Sequence, residues 1–185
     1  MRSPKHSGGP LLQWTSDTVV LTALCAGLGS AAVVDSARRK IPNGISLGVT
    51  ASGIVLAATG ASGISVGSSL LGFFLGFLLM LPGHALGSTG AGDVKLFAAA
   101  GAVVGAEHII PAFLMTAIAG GLLAVFIAWR RGRLLRTFRL TARLFGLRQE
   151  AKTDIEAPGE HNRFPYGPAI AAGCVLAMLL RSVRL

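Results

Sequence analysis

Residues 87–97 read Gly-Ser-Thr-Gly-Ala-Gly-Asp-Val-Lys-Leu-Phe, and the interpretation of the rest of the chain starts from this stretch. It holds a carboxylate, Asp93, and an ammonium group, Lys95, after a glycine-rich turn and before an Ala-rich apolar run. The flanking segments are apolar enough to lie in a membrane. Because an ionisable residue at membrane depth is costly and usually functional, Asp93 is the first candidate site residue.

The composition indicates a membrane protein. Hydrophobic residues make up 52% of the 185-residue chain and charged residues 14%, whereas a soluble domain carries about 25% charged residues. The net charge of +9 comes from basic residues that fall between apolar runs, so nucleic-acid binding is not expected. Cys25 and Cys174 each lie in an apolar run and form no C-x-x-C pattern, which predicts small buried side chains and no metal site.

Six apolar runs predict an all-α, polytopic membrane protein with about six transmembrane helices in a single domain, residues 1–185. Residues 1–16 read as a loose polar tail. Residues 130–163 form a basic loop with leucine and phenylalanine at helical spacing, which predicts an amphipathic helix bound to anionic lipid at the inner leaflet. The predicted spans are residues 18–34, 41–60, 68–81 (ended by Pro82), 94–105, 109–129 and 165–180.

The positions of lysine and arginine orient these spans. If the loop after the first span is cytoplasmic, most basic residues lie inside and both termini lie outside. With this topology, only Asp35 and Asp93 lie on the cytoplasmic side directly against apolar spans. Within the third span, Gly72 and Gly76 form a G-x-x-x-G pair that we expect to pack helices of this chain together.

The fourth apolar run is short for a transmembrane span. If its helix ends near His108, a full-length span has to begin near Ser88, which places Asp93 about 7 Å inside the helix start. Gly90 and Gly92 would then allow a neighbouring helix or an extended peptide to approach closely.

Two carboxyl groups in one poorly solvated site cannot both be ionised, so such a pair shares a proton. This is the arrangement that an aspartic peptidase needs, with one carboxylate as general base and one carboxyl as proton donor. Asp93 lies near a helix N-terminus, which favours the charged form, and Asp35 lies near a helix C-terminus, which does not. We therefore expect Asp93 to be the base and Asp35 to hold the proton.

Three motifs in order resemble those of one family. Residues 90–96, Gly-Ala-Gly-Asp-Val-Lys-Leu, resemble the G-x-G-D motif of the type IV prepilin peptidases, which are membrane aspartic peptidases. Asp35, followed by basic residues and by Ile-Pro-Asn at 41–43, resembles the first-aspartate motif of that family. Residues 164–169, Phe-Pro-Tyr-Gly-Pro-Ala, resemble its entry to the last span.

The resemblance implies removal of the basic leader of a prepilin-like substrate, before its hydrophobic helix, at the cytoplasmic face of the bacterial inner membrane. It implies Asp35 and Asp93 as catalytic residues and no cofactor. Larger members carry an insert with paired C-x-x-C motifs that is linked to N-methylation. This chain lacks both features, resembles the short form associated with Flp-type, tight-adherence pili, and is not expected to methylate. The oligomeric state stays open.

The remaining candidate site residues are Gly90, Gly92, Lys95, Asn43 and Tyr166. Lys95 points to a different helix face from Asp93, so it can tune the acid pair, extend to the membrane interface or dock an acidic substrate group. Asn43 is first a helix cap and only second a residue that lines the site. Tyr166 reads as an interfacial anchor, and the resemblance implies that it lies near the site.

A different class of function uses the same acids. A small proton-coupled transporter, or a scaffold for pilus assembly, would use Asp35 and Asp93 as a proton relay. A transporter favours inverted repeats and acids near the bilayer midplane. The sequence has no internal repeat of this kind and both acids lie towards one face, so the peptidase is favoured.

Overall fold

The computed structural model describes residues 10–38, 41–86, 89–130 and 166–183. All regular secondary structure in these ranges is helical, which confirms the all-α prediction. Three helices contain stretches long and apolar enough to cross a membrane, namely 15–37, 66–85 and 109–126, and two shorter apolar helices accompany them. The helices within the described ranges are α1 (Pro10–Arg38), α2 (Asn43–Ala58), α3 (Val66–Ala85), α4 (Ala91–Val104), α5 (Ile109–Arg130) and α6 (Gly167–Val183).

Several local predictions are wrong. Helix α1 begins at Pro10, so residues 10–16 are not a loose tail. Helix α3 continues through Pro82 to Ala85, because an apolar helix tolerates proline where neighbouring groups satisfy the freed backbone. Cys25 is exposed on α1, whereas Cys174 is buried as expected. The predicted amphipathic helix falls within residues 131–165, outside the described part of the chain.

Helix α4 forms the centre of the helix packing. Its residues Val94 and Leu96–Val104 are all buried, and it packs against α1, α2, α3, α5 and α6. A helix that is apolar on every side has no face suited to solvent and is stable only when surrounded. The central position of α4 therefore explains how an Ala-rich helix without a polar face beyond Lys95 is stable.

Glycines on the neighbouring helices allow this close packing. A Cβ atom at Gly53 would lie 2.8 Å from the Ala102 carbonyl oxygen. A Cβ at Gly72 would collide with the backbone of Gly101, and a Cβ at Gly76 would lie 2.9 Å from the carbonyl oxygen of Phe97. The prediction that the Gly72 and Gly76 pair packs helices within the chain is confirmed.

A buried hydrogen bond adds to the contact between α3 and α4. The Ser69 hydroxyl donates to the Ala102 carbonyl oxygen at 2.6 Å, and the Ser69 side chain is fully buried. In an apolar environment an unpaired hydroxyl is costly, so this bond fixes the register of the two helices.

The ends of α4 differ from the prediction and change the depth of Asp93. Gly90 is the N-cap residue, and Gly105, at φ 79°, ends the helix. The positive φ at Gly105 is one that a side-chain-bearing residue rarely adopts. Because α4 begins at Ala91 rather than near Ser88, Asp93 lies about 3 Å from the helix start and not about 7 Å.

The close approach of α3 and α4 leads to a stability prediction. Gly101→Ala should lower the free energy of unfolding by about 1–3 kcal/mol, because the new methyl group meets backbone atoms that cannot rotate away. Gly48→Ala is the control, since a Cβ there meets nothing within 4 Å. Denaturant unfolding in detergent micelles, followed by circular dichroism, measures both variants. Equal stability of the two variants would contradict the close packing of Gly101 against the backbone of Gly72.

Candidate active site

Asp93 lies in the first turn of α4, where its side chain caps the helix. The Gly90 amide donates to Asp93 Oδ2 at 3.0 Å. A Cβ at Gly90 would lie 3.1 Å from the same oxygen, so the absence of a side chain leaves room for the carboxylate. The hydrogen bond from the Gly90 amide and the positive end of the helix both stabilise a negative charge at this position.

Asp35 lies in the last turns of α1 and is only 6% exposed. Its Oδ2 accepts a hydrogen bond of 3.0 Å from the amide of Gly167, the first residue of α6. A Cβ at Gly167 would lie 3.1 Å from the Cβ of Asp35. Gly167 therefore allows the start of α6 to lie directly against the acid.

The residue before Gly167 lies in the electrostatic range of the other acid. Tyr166 is close enough to Asp93 to interact with it electrostatically, while the next residue, Gly167, donates a hydrogen bond to Asp35. The start of α6 is therefore bonded to Asp35 and lies on the same side of the helix packing as Asp93. The sequence alone gave no direct evidence for this proximity.

Helix dipoles give no basis for assigning the shared proton to Asp35. Asp35 lies in the last turn of α1, three residues before Arg38. Its carboxyl group also meets the N-terminus of α6. The two helix ends act on Asp35 in opposite senses, so helix dipoles do not distinguish the base from the acid.

The segment before α2 packs onto the turn that carries Asp93. A Cβ at Gly92 would lie 3.3 Å from the Cβ of Ile41, so Gly92 permits the close approach that the sequence predicted. Lys95 Nζ donates to Asn43 Oδ1 at 3.2 Å, and both side chains are exposed.

The contact between Lys95 and Asn43 bears on the roles that the sequence allowed for these two side chains. Asn43 does not cap α2, since the N-cap residue is Pro42 and it makes no side-chain cap bond. The Asn43 oxygen binds the ammonium group of Lys95 instead. The pair links α2 to α4 beside the acid-bearing turn.

Sequence reasoning missed two features of the site. The first is the amide of Gly167, which only the Tyr-Gly-Pro sequence before the last helix could have suggested. The second is an open, shallow surface depression where the end of α1 meets the start of α6, lined by Ala32, Val33, Ser36, Ala37 and Pro168. No group of three or more His, Cys, Asp or Glu side chains that could hold a metal occurs among the residues with described positions.

Comparison with known proteins agrees with these motifs. The sequence profile described as "Type IV leader peptidase family" matches residues 22–125, which include both Asp35 and Asp93. This match covers more than half of the chain. The chain belongs to the type IV leader peptidase family. The family predicted from the three motifs is thereby confirmed.

A curated member of the family gives a measure of similarity. The "Prepilin leader peptidase/N-methyltransferase" of Bacillus subtilis (strain 168) is 32% identical over 114 residues, which are 60% of this chain and 36% of the relative. The chain thus spans only about a third of the length of that relative. No solved structure matches the chain significantly.

The contact between Ile41 and Gly92 can be tested by cross-linking. Ile41→Cys with Gly92→Cys should form a disulfide under mild oxidation, because a native disulfide needs a Cβ to Cβ distance of about 3.5–4.5 Å. Cys25 and Cys174 are first replaced by serine and alanine. Leu47→Cys with Gly92→Cys is the control, since Leu47 is 70% exposed on α2. Mass spectrometry of the proteolysed protein measures the yield, and equal yields for the two pairs would contradict the contact.

Proposed function

We propose that this chain is an intramembrane aspartic endopeptidase that removes the basic leader peptide from prepilin-like precursors. Asp35 and Asp93 form the catalytic pair, and a water molecule is the nucleophile. The observation that carries the proposal is the hydrogen bond from the Gly167 amide to Asp35, at the residue that follows Tyr166, which lies within electrostatic range of Asp93. Membership of the type IV leader peptidase family and the name of the Bacillus relative support it.

The chemistry follows from a pair that holds one proton. The ionised carboxylate takes a proton from water while the water oxygen attacks the scissile carbonyl carbon, and the other carboxyl protonates the carbonyl oxygen. When the tetrahedral intermediate collapses, the C–N bond breaks and the leaving nitrogen takes the proton that came from water. One hydroxyl of the intermediate returns its proton to the second carboxyl. The products are a carboxylic acid and an amine, and the pair again holds one proton.

The setting of each acid suits this exchange. Amide donors stabilise a charge at either acid, Gly90 at Asp93 and Gly167 at Asp35, so the proton can reside on either carboxyl group. The surface where the end of α1 meets Pro168 of α6 is mainly apolar. A substrate with a hydrophobic helix suits this setting, because its own helix is already in the bilayer.

We also place the site at the cytoplasmic face of the bacterial inner membrane, because the lysine and arginine residues lie mainly in the loops on the side of Asp35 and Asp93. Anionic lipid at that face is the expected partner of the basic segment 130–163.

The deciding experiment is a cleavage assay in liposomes with a peptide that carries a basic leader, a glycine and a hydrophobic helix. Asp35→Asn and Asp93→Asn should each lower the rate by at least about 100-fold, because asparagine has a similar shape but cannot exchange a proton. The exposed acid Glu107, changed to glutamine, is the control and should cleave like the wild type. Circular dichroism confirms that each variant is folded.

The outcomes separate the peptidase from the alternative. Retained cleavage in either aspartate variant would exclude the two-carboxyl mechanism. If the wild type cleaves no such peptide, the peptidase proposal fails. Proton flux into the same liposomes, lost in both aspartate variants, would then identify a proton relay.

A further inference from the structure

Gly120 on α5 forms a notch that receives the side chain of Tyr166. A Cβ at Gly120 would lie 2.6 Å from the phenol oxygen of Tyr166, 2.9 Å from its Cζ and 3.3 Å from its Cε1. Gly120 is buried, whereas its neighbour Gly121 is exposed and a Cβ there would meet nothing within 4 Å. Only the first of these two consecutive glycines is therefore needed to seat the tyrosine.

The two helices cannot separate easily to relieve a clash at this notch. About one turn along α5 from Gly120, the backbone of Thr116 lies against Gly173 of α6, so closely that a Cβ at Gly173 would collide with it. Thr116 and Gly173 are both buried. A side chain at position 120 would therefore displace Tyr166 rather than move α5 away from α6.

Displacement of Tyr166 would change the surroundings of both acids. Tyr166 interacts electrostatically with Asp93, and the adjacent Gly167 amide holds Asp35 at 3.0 Å. The peptide unit between residues 166 and 167 is planar and nearly rigid, so a backbone shift by which Tyr166 relieves the clash moves the Gly167 amide as well. A misplacement of about 1 Å in an active site can reduce the rate about 100-fold.

We propose that Gly120 is a positioning residue for leader cleavage, acting through Tyr166 on the arrangement of Asp35 and Asp93. Gly120 does not contact the substrate. This inference rests on the proposed function for its kinetic readout, and a spectroscopic readout tests it independently of cleavage.

The kinetic test compares single and double variants of the full chain. Gly120→Ala should lower kcat about tenfold or more with little change in KM, since the reacting groups rather than the substrate contacts are displaced. Gly121→Ala is the matched control and should retain the kcat of the wild type. In a Tyr166→Phe background the phenol oxygen, the closest clashing atom, is absent. Gly120→Ala should therefore lower kcat only about threefold in that background.

The spectroscopic test uses the single tyrosine of the sequence. Its ultraviolet resonance Raman bands report on Tyr166 alone, and they should shift in Gly120→Ala but not in Gly121→Ala. An unshifted spectrum for Gly120→Ala, or an equal loss of kcat in the tyrosine and phenylalanine backgrounds, would overturn the inference. If the wild type cleaves no leader, the proposed function fails, and the Raman comparison still decides whether Gly120 seats Tyr166.

Discussion

The burial of α4 among the other five helices is the constraint on which the rest of the structure depends. From Leu96 to Val104 this helix consists of residues that are apolar or lack a side chain, and all are buried. Small residues give little hydrophobic area per contact, so the stability of the packing depends on close approach rather than on large side chains. Gly53 on α2 and Gly72 on α3 provide that approach, and the Ser69 hydrogen bond fixes it.

The same helix carries the acid. Asp93 lies only two residues after the start of α4, where the backbone amides are not used within the helix and can stabilise a carboxylate. The buried part of α4 then acts as a rigid base for an otherwise accessible first turn. A side chain on a fixed helix is held more precisely than one on a loop, which suits the catalytic role proposed for Asp93.

The second acid reaches the site by a different route. Asp35 is near the end of α1, but the group that binds it is the first amide of α6, more than 130 residues later in the chain. Asp35 thus meets the ends of two helices, the C-terminal turn of α1 and the first amide of α6. Reasoning from the order of residues considered only the first of these ends, because the second comes from a distant part of the chain.

The sequence by itself determined the all-α membrane class and the family, because apolar periodicity, charge and the motifs around residues 35, 93 and 166 are local properties. The same motifs predict Asp35 and Asp93 as the catalytic pair. It also indicated that Gly72 and Gly76 pack helices. Only the tertiary structure decided that Asn43 binds Lys95 instead of capping α2, that α3 passes through Pro82, and that Gly120 seats Tyr166. These features depend on which helices are neighbours and at what distance, since a side chain chooses its hydrogen-bond partner and its cavity from the groups that packing brings within reach.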